Sequence, residues 1–352
     1  MKVKWVVFLA VMGVLGLAGV CQAQQDGYEP VFAAGSGYSG PEVAFGCCPG
    51  PLWTAYGEFL LLRPSNAKVS YAVPINGAIV PPAGVAPVQV GRESVLDIGY
   101  NSGFRVGFER ALNECSSIGA VYTHFESGTS DSVALAEPPP DRVLRSLLLH
   151  PGTGDAATDF DLGAAGSHAI DFRMADIEYR HLLRCGPKHA ITGLVGIRYG
   201  HLEQRLASEF LSSQVEQFVT SDIDFHGGGV RLGLEAETYA AHGGFFGYGK
   251  THASFLAGRF SSFYSQADRF REQVVEAGWK EDRVVPILDL EVGLGWVSSG
   301  GRVRVTGGYH YAAWLNTLTT DEFIQAVQHN DSVSVRETLV FDGLVFRTEI
   351  GF

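Results

Sequence analysis

Asp222, Asp224 and His226 occupy alternate positions, so on a β-strand they would share one face, and His201 and Glu203 stand in the same spacing on the segment before it. A histidine oriented by a carboxylate can activate water, which makes this group the chain's best candidate for hydrolytic chemistry. Hydrolysis of this kind needs an acid pair and an Asp–His pair on opposite walls of a site. The second pair is not identifiable, and polar residues at a loop edge explain the pattern more simply. Asp155, Asp159 and Asp161 suggest calcium, but they lack the ordered 1-3-5 ligands and distal Glu of an EF-hand loop. Gly247-Tyr248-Gly249-Lys250-Thr251 has the composition of a phosphate loop without its four-residue spacer. The expectation is a chain that is not an enzyme, with no catalytic residue, no metal site and no cofactor.

A larger set of ionisable residues follows a different logic. Glu58, Asp97, Arg105, Glu109, Glu178, Arg180, Arg198, Arg231, Glu235, Glu237, Asp289, Glu291, Arg302, Arg304, Arg347 and Glu349 fall on the non-apolar parity of segments that alternate with period two. In 96–109 the apolar parity is Leu96, Ile98, Tyr100, Phe104, Val106 and Phe108, set against Asp97, Gly99, Gly103, Arg105, Gly107 and Glu109. Residues 230–237, 288–296 and 303–315 repeat the pattern. Period two is the signature of a strand with chemically different faces. In a soluble sandwich the polar face meets water and the strands stay short. Here that face is rich in glycine and in charges of both signs, which suits the crowded interior of a closed barrel whose apolar face meets lipid. These sixteen residues are therefore candidates to face a lumen, where they would line a water path and set ion preference or fill a narrow bore with ion pairs.

The positions group into ten strands: 52–63, 95–112, 117–126, 169–184, 189–205, 221–239, 244–260, 284–298, 302–317 and 337–352. Connections then alternate strictly between short ones (113–116, 185–188, 240–243, 299–301) and long ones (64–94, 127–168, 206–220, 261–283, 318–336). Short periplasmic turns and long extracellular loops are what a bacterial outer-membrane barrel requires. Eight or twelve strands stay open as counts, because 67–75 and 142–150 could form an extra hairpin above the membrane. Parity slips near Ala175-Asp176 and Gly227-Gly229, which reads as two β-bulges.

Composition agrees. Glycine is 44 of 352 residues and charged residues only 18%, which excludes a disordered chain or a coiled coil. Lys2 and Lys4, the apolar run Val6–Val20 and Cys21-Gln22-Ala23 form a secretory signal with cleavage expected after Ala23. Val20 is too bulky for the residue before a lipidated Cys21. Loss of residues 1–23 removes two lysines and no acid, shifting the net charge from −12 to −14, a balance that disfavours nucleic acid as a partner. Residues 24–51 read as a disordered periplasmic lead-in and 52–352 as the barrel. Cys47, Cys48, Cys115 and Cys185 all fall at the periplasmic end, where an oxidising compartment favours one or two disulfides of undetermined pairing.

Leu344, Phe346, Thr348, Ile350 and Phe352 share one parity, the type of terminal strand that barrel assembly machinery reads. Gly57-Glu58-Phe59-Leu60-Leu61-Leu62-Arg63-Pro64, Gly103-Phe104-Arg105-Val106-Gly107, Asp176-Ile177-Glu178-Tyr179-Arg180, Gly193-Leu194-Val195-Gly196-Ile197-Arg198-Tyr199 and Leu290-Glu291-Val292-Gly293-Leu294-Gly295-Trp296 add a resemblance. In order and spacing, over about residues 52–352, they resemble the pore-forming outer-membrane proteins typified by the Legionella major outer membrane protein. The resemblance implies an all-β transmembrane antiparallel barrel in a bacterial outer membrane. It also implies a porin-like role for small solutes or ions, with lipid and the assembly machinery as partners, and it carries no catalytic residues. A structural or adhesive barrel without an open pore is the alternative, a barrel hydrolase the lesser one, and a homo-oligomer stays open.

Overall fold

The computed structural model describes residues 51–80, 86–135, 142–154, 159–186, 188–213, 215–240, 243–270, 272–331 and 335–352. The expected signal, the lead-in before Pro51, and Asp155 lie outside the described residues. Fourteen strands and one helix follow: β1 Trp53–Ser65, β2 Val69–Asn76, β3 Val88–Gln89, β4 Ser94–Leu96, β5 Asn101–Asn113, β6 Ser116–Ala134 and β7 Arg142–Ser146. Next come β8 Gly163–Cys185, β9 His189–Leu211, β10 Glu216–Tyr239, β11 Phe245–Asp268, β12 Gln273–Val297 and β13 Val303–Thr317. The helix α1 spans Thr320–His329, and β14 spans Glu337–Gly351.

Ten of these strands close into an antiparallel barrel in the order β1-β14-β13-β12-β11-β10-β9-β8-β6-β5. Closure runs from Thr54 opposite Gly351 to Ser65 opposite Val340 on one side of β1, and from Trp53 opposite Arg110 on the other. No edge is left, which is the condition for strands to sit in lipid. No helix among the described residues is long and apolar enough to cross a membrane. All ten expected strands are present, and the four short connections fall where the parity puts them.

Three of the expected long loops are in good part strand. β9 runs on to Leu211 and β10 begins at Glu216, while β11 reaches Asp268 and β12 starts at Gln273. β6 and β8 likewise extend to Ala134 and from Gly163. A membrane needs about 9–11 residues of tilted strand, whereas β8 to β12 have 23 to 25. One wall of the barrel therefore rises well above the bilayer.

The two expected bulges are absent. The ladders of β8 with β6 and β9 run unbroken through Ala175-Asp176, and those of β10 run unbroken through Gly227–Gly229. Register shifts occur instead at Ala111/Asn113, Leu182/Arg184, Gln266/Ala267 and Trp314/Thr317. What changes at 175 and 228 is the surroundings. Above that level Phe172, Met174, Ile223 and Phe225 point inward and are buried. Below it Ile177, Tyr179, Val230 and Leu232 point outward, while Asp176, Glu178 and Arg231 point inward. The lower barrel has lipid outside and charge inside; the upper barrel has water outside and an apolar core inside. The strand keeps its register, and the apolar residues change face because the solvent does.

Segments 67–75 and 142–150 do pair, as β2 with β7 from Ala72 opposite Ser146 to Asn76 opposite Arg142. They lie above the membrane as expected, folded inside the upper barrel. With β3 and β4 they form a small sheet whose Tyr71, Ala72, Leu96 and Leu144 are fully buried against the inner wall. Phe323 and Ile324 of α1 join the same core, which also holds Phe125, Phe172, Trp314 and Phe341. The rings of Phe172 and Phe341 meet at 4.8 Å and those of Phe125 and Phe172 at 5.2 Å.

Inward glycines make room for rings from the neighbouring strand. A Cβ at Gly107 would overlap the Tyr56 ring, and one at Gly233 would overlap the His252 imidazole. Overpacking of this kind costs about 1–3 kcal/mol. Gly233→Val should lower the unfolding free energy of the refolded barrel in urea by that amount, with unfolding read by the heat-dependent gel shift, while Gly249→Val, where a Cβ meets no close neighbour, should leave it unchanged.

Candidate functional site

The lumen is the site the fold defines, and two layers fill it. The lower layer lies at membrane depth. Nine carboxylates, Glu58, Glu109, Asp176, Glu178, Glu235, Glu237, Asp289, Glu291 and Glu349, share it with seven permanent cations, Arg105, Arg180, Arg198, Arg231, Lys250, Arg304 and Arg347. Each comes from an alternate position on a strand, so ladder register alone brings them together.

Arg198 is at the centre. Its Nε and Nη2 donate to the two Asp176 oxygens at 2.7 and 2.9 Å, and its Nη1 donates to Asp289 Oδ2 at 2.8 Å. Arg231 Nη1 reaches the same Asp176 at 2.9 Å, and its Nε lies 3.1 Å from Glu178. A two-pronged guanidinium–carboxylate contact is the strongest ion pair side chains can make. Around this centre Arg105 binds Glu58 at 2.5 Å, Lys250 binds Glu291 at 2.8 Å, and Arg180 joins Glu235 at 3.2 Å to Glu178 at 3.0 Å. Nearer the periplasmic end Arg304 binds Glu237 at 2.5 Å, while Arg347 binds Glu349 at 2.8 Å and lies 3.4 Å over the Tyr56 ring. His252 and His310 stand beside Glu235 and Glu291 at 3.3 and 3.6 Å. A cavity of about 30 Å³ lies within this layer among the described residues, room for one or two water molecules.

The upper layer is the apolar cap of β2, β4, β7 and α1, and inward polar side chains pin it to the wall. Gln204 on β9 donates to Leu318 O at 2.6 Å and accepts from Thr320 N at 3.3 Å, at the start of α1. Tyr264 on β11 donates to Leu148 O at 2.9 Å, and Gln328 on α1 donates to Leu147 O at 2.8 Å. Burial of Gln204 with both ends of its amide satisfied fixes where the helix begins.

Of the expected lumen residues, Glu58, Arg105, Glu109, Glu178, Arg180, Arg198, Arg231, Glu235, Glu237, Asp289, Glu291, Arg304, Arg347 and Glu349 face inward. Asp97 and Arg302 do not. The wall strand begins at Asn101, so Asp97 precedes it, exposed and paired with Lys68 at 2.7 Å. Arg302 lies in the turn before β13 and is exposed at the rim. Sequence parity missed Asp176, which the supposed bulge disguised, as well as Lys250, His252 and His310, whose inward positions follow from β11 and β13 once their register is known.

His201, Asp224 and His226 are close together, but on the outer wall: their inward neighbours are Leu202, Phe225 and Gly227. Cys115 is exposed with a free thiol. Cys185 is disulfide-bonded, and Cys47 and Cys48 lie outside the described residues. Of the expected disulfide candidates, Cys115 therefore takes no part in a bridge.

The outward face completes the picture. Phe59, Val106, Val195, Ile197, Val292, Leu294 and Phe346 form an exposed apolar band, with Trp53, Phe245 and Trp296 toward the short-turn end and Tyr199, Tyr309 and Tyr311 toward the other. Aromatic girdles around an apolar band define a transmembrane barrel of the bacterial outer membrane. The sequence profile of the Legionella pneumophila major outer membrane protein precursor family matches residues 47–350, and the chain belongs to that family. No curated protein matches the sequence. Among solved structures the chain is similar to the outer membrane protease OmpT from Escherichia coli, at 10% identity and a TM-score of 0.45, covering 85% of this chain and 96% of that one. It is also similar to the toluene transporter TodX from P. putida, at 11% identity and a TM-score of 0.34, covering 87% and 91%.

Removing one partner of a buried ion pair leaves the others uncompensated and costs about 3–5 kcal/mol. Arg198→Ala should destabilise the barrel by that amount in urea, because Asp176 and Asp289 lose their shared cation. Arg259→Ala, on the exposed outer wall with Asp282, should change it by less than about 1 kcal/mol.

Proposed function

We propose that this chain is a porin-like barrel with a closed ground state, through which ions or small solutes pass only when the cap moves. The observation that carries this reading is the double filling of the lumen: a close-packed layer of ion pairs at membrane depth beneath an apolar plug. The plug is built from segments outside the barrel wall, so it can shift without breaking the closed ladder. Beneath it the path is lined by charge, with two more carboxylates than permanent cations, and the proposed preference is for cations. Water entering such a layer would rehydrate the ion pairs and lower the barrier to passage. On this reading the chain has no catalytic activity, and it is assembled by the barrel machinery through β14.

A structural barrel shares the closed lumen, and a bilayer recording separates the two. Wild-type protein should stay mostly silent, with brief small openings. Replacing 320–329 by a flexible Gly–Ser linker removes the contacts of Gln204 with Thr320 and should give frequent, cation-selective steps while the heat-dependent gel shift persists. Large steady currents from wild type would show an open porin. Silence from both folded proteins would leave a structural role.

A further inference from the structure

The outer wall carries one group of ligand atoms that neither the lumen nor the cap uses. His201 on β9 and Asp224 and His226 on β10 point away from the lumen in the row just above the lipid-facing band. Ladder register puts His226 directly opposite His201, with Asp224 two residues along the same face. Nε2 of His201 lies 2.8 Å from Asp224 Oδ2, and Nε2 of His226 lies 2.7 Å from Oδ1. The imidazole centroids are 4.1 Å apart, and the three donor atoms all lie within 4.8 Å of one another.

We propose that His201, Asp224 and His226 form a site for a divalent transition-metal ion of borderline softness, zinc foremost, on the outer wall of the barrel. Two imidazoles and one carboxylate suit zinc, nickel or copper, whereas calcium and magnesium want oxygen alone. Bonds of about 2.0–2.2 Å in a tetrahedral site separate ligand atoms by roughly 3.3 Å. The two His–Asp separations would open by about half an ångström, and the two imidazole nitrogens, within 4.8 Å of one another, would close by at most about 1.5 Å. The scaffold is rigid, since β9 and β10 pair without a register shift through this region.

The surroundings fit. Tyr199 Oη lies 3.0 Å from His226 Nδ1. A hydroxyl donates or accepts, so it can accept from Nδ1–H when Nε2 gives up its proton to bind metal, the role of an outer-shell partner. Nearby cations are occupied. Arg259, opposite His226, is held by Asp282 at 2.7 and 3.1 Å and keeps that carboxyl below its usual range; Arg205 is held by Glu203; Arg173, opposite His201, faces Glu126 at 4.0 Å. His226 is half exposed, which leaves the remaining coordination position to water. A bound ion would tie β9 to β10 where they leave the membrane, and it would displace the imidazole protons that now bridge to Asp224.

The test is calorimetric titration of Zn²⁺ into the full refolded chain, free of any histidine tag and stripped with EDTA, with Co²⁺ absorption as a second readout. One Zn²⁺ per chain is expected, bound more weakly at pH about 5 than at about 7.5. His226→Gln and Asp224→Asn should each weaken binding at least about tenfold, with the heat-dependent gel shift intact, and Glu276→Gln, exposed on β12 opposite Ser265, should leave it unchanged. Absence of binding, or binding that survives in the His201→Gln/His226→Gln double variant, would overturn the site.

Discussion

Everything in this molecule depends on closing the hydrogen-bond ladder. In lipid an unpaired backbone amide costs several kcal/mol, so a sheet survives only if its first and last strands meet. Here β1 meets β14 along nearly its whole length. Closure fixes the register of all ten wall strands, and register decides which side chains look inward. The ionic layer is a consequence: Asp176, Arg198, Arg231 and Asp289 come from four strands and touch because the ladders put them at one level.

The second consequence is volume. Ten strands enclose a bore narrow enough for side chains to fill. In the lower half charge fills it, because an inward apolar face would leave no distinction between lumen and lipid. In the upper half the wall stands in water, and a polar lumen there would have no apolar surface to bury. Inward Phe172, Phe225, Phe260 and Trp314 supply that surface, and the connections after β1, β6 and β13 fold in to cover it. The barrel has two interiors of opposite polarity stacked on one axis, with the boundary near Asp176 and Gly228.

That boundary explains which readings of the sequence succeed. The strands are legible because alternation is a property of neighbouring residues. Fourteen of the sixteen lumen candidates are legible for the same reason. Asp97 and Arg302 fail where alternation continues for a residue or more beyond the wall: Asp97 lies between β4 and β5, and Arg302 in a turn. The two supposed bulges fail because a change of environment inverts the apolar parity just as a slipped register would. Only the cross-strand pairing tells the two apart. The cap is least legible, since β2, β7 and α1 acquire meaning from distant partners such as Gln204 and Tyr264.

The sequence by itself pointed to a closed, outer-membrane type of barrel of about ten strands with inward charges, since period-two patterning, glycine on the inner parity and the alternation of turns are local properties. Tertiary structure alone decided that the lumen is filled, that the upper strands leave the membrane, and that His201, Asp224 and His226 look outward rather than in. The physical reason is one of range. Which face of a strand is apolar is set by residues two apart, but what that face meets is set by segments brought together only when the ladder closes.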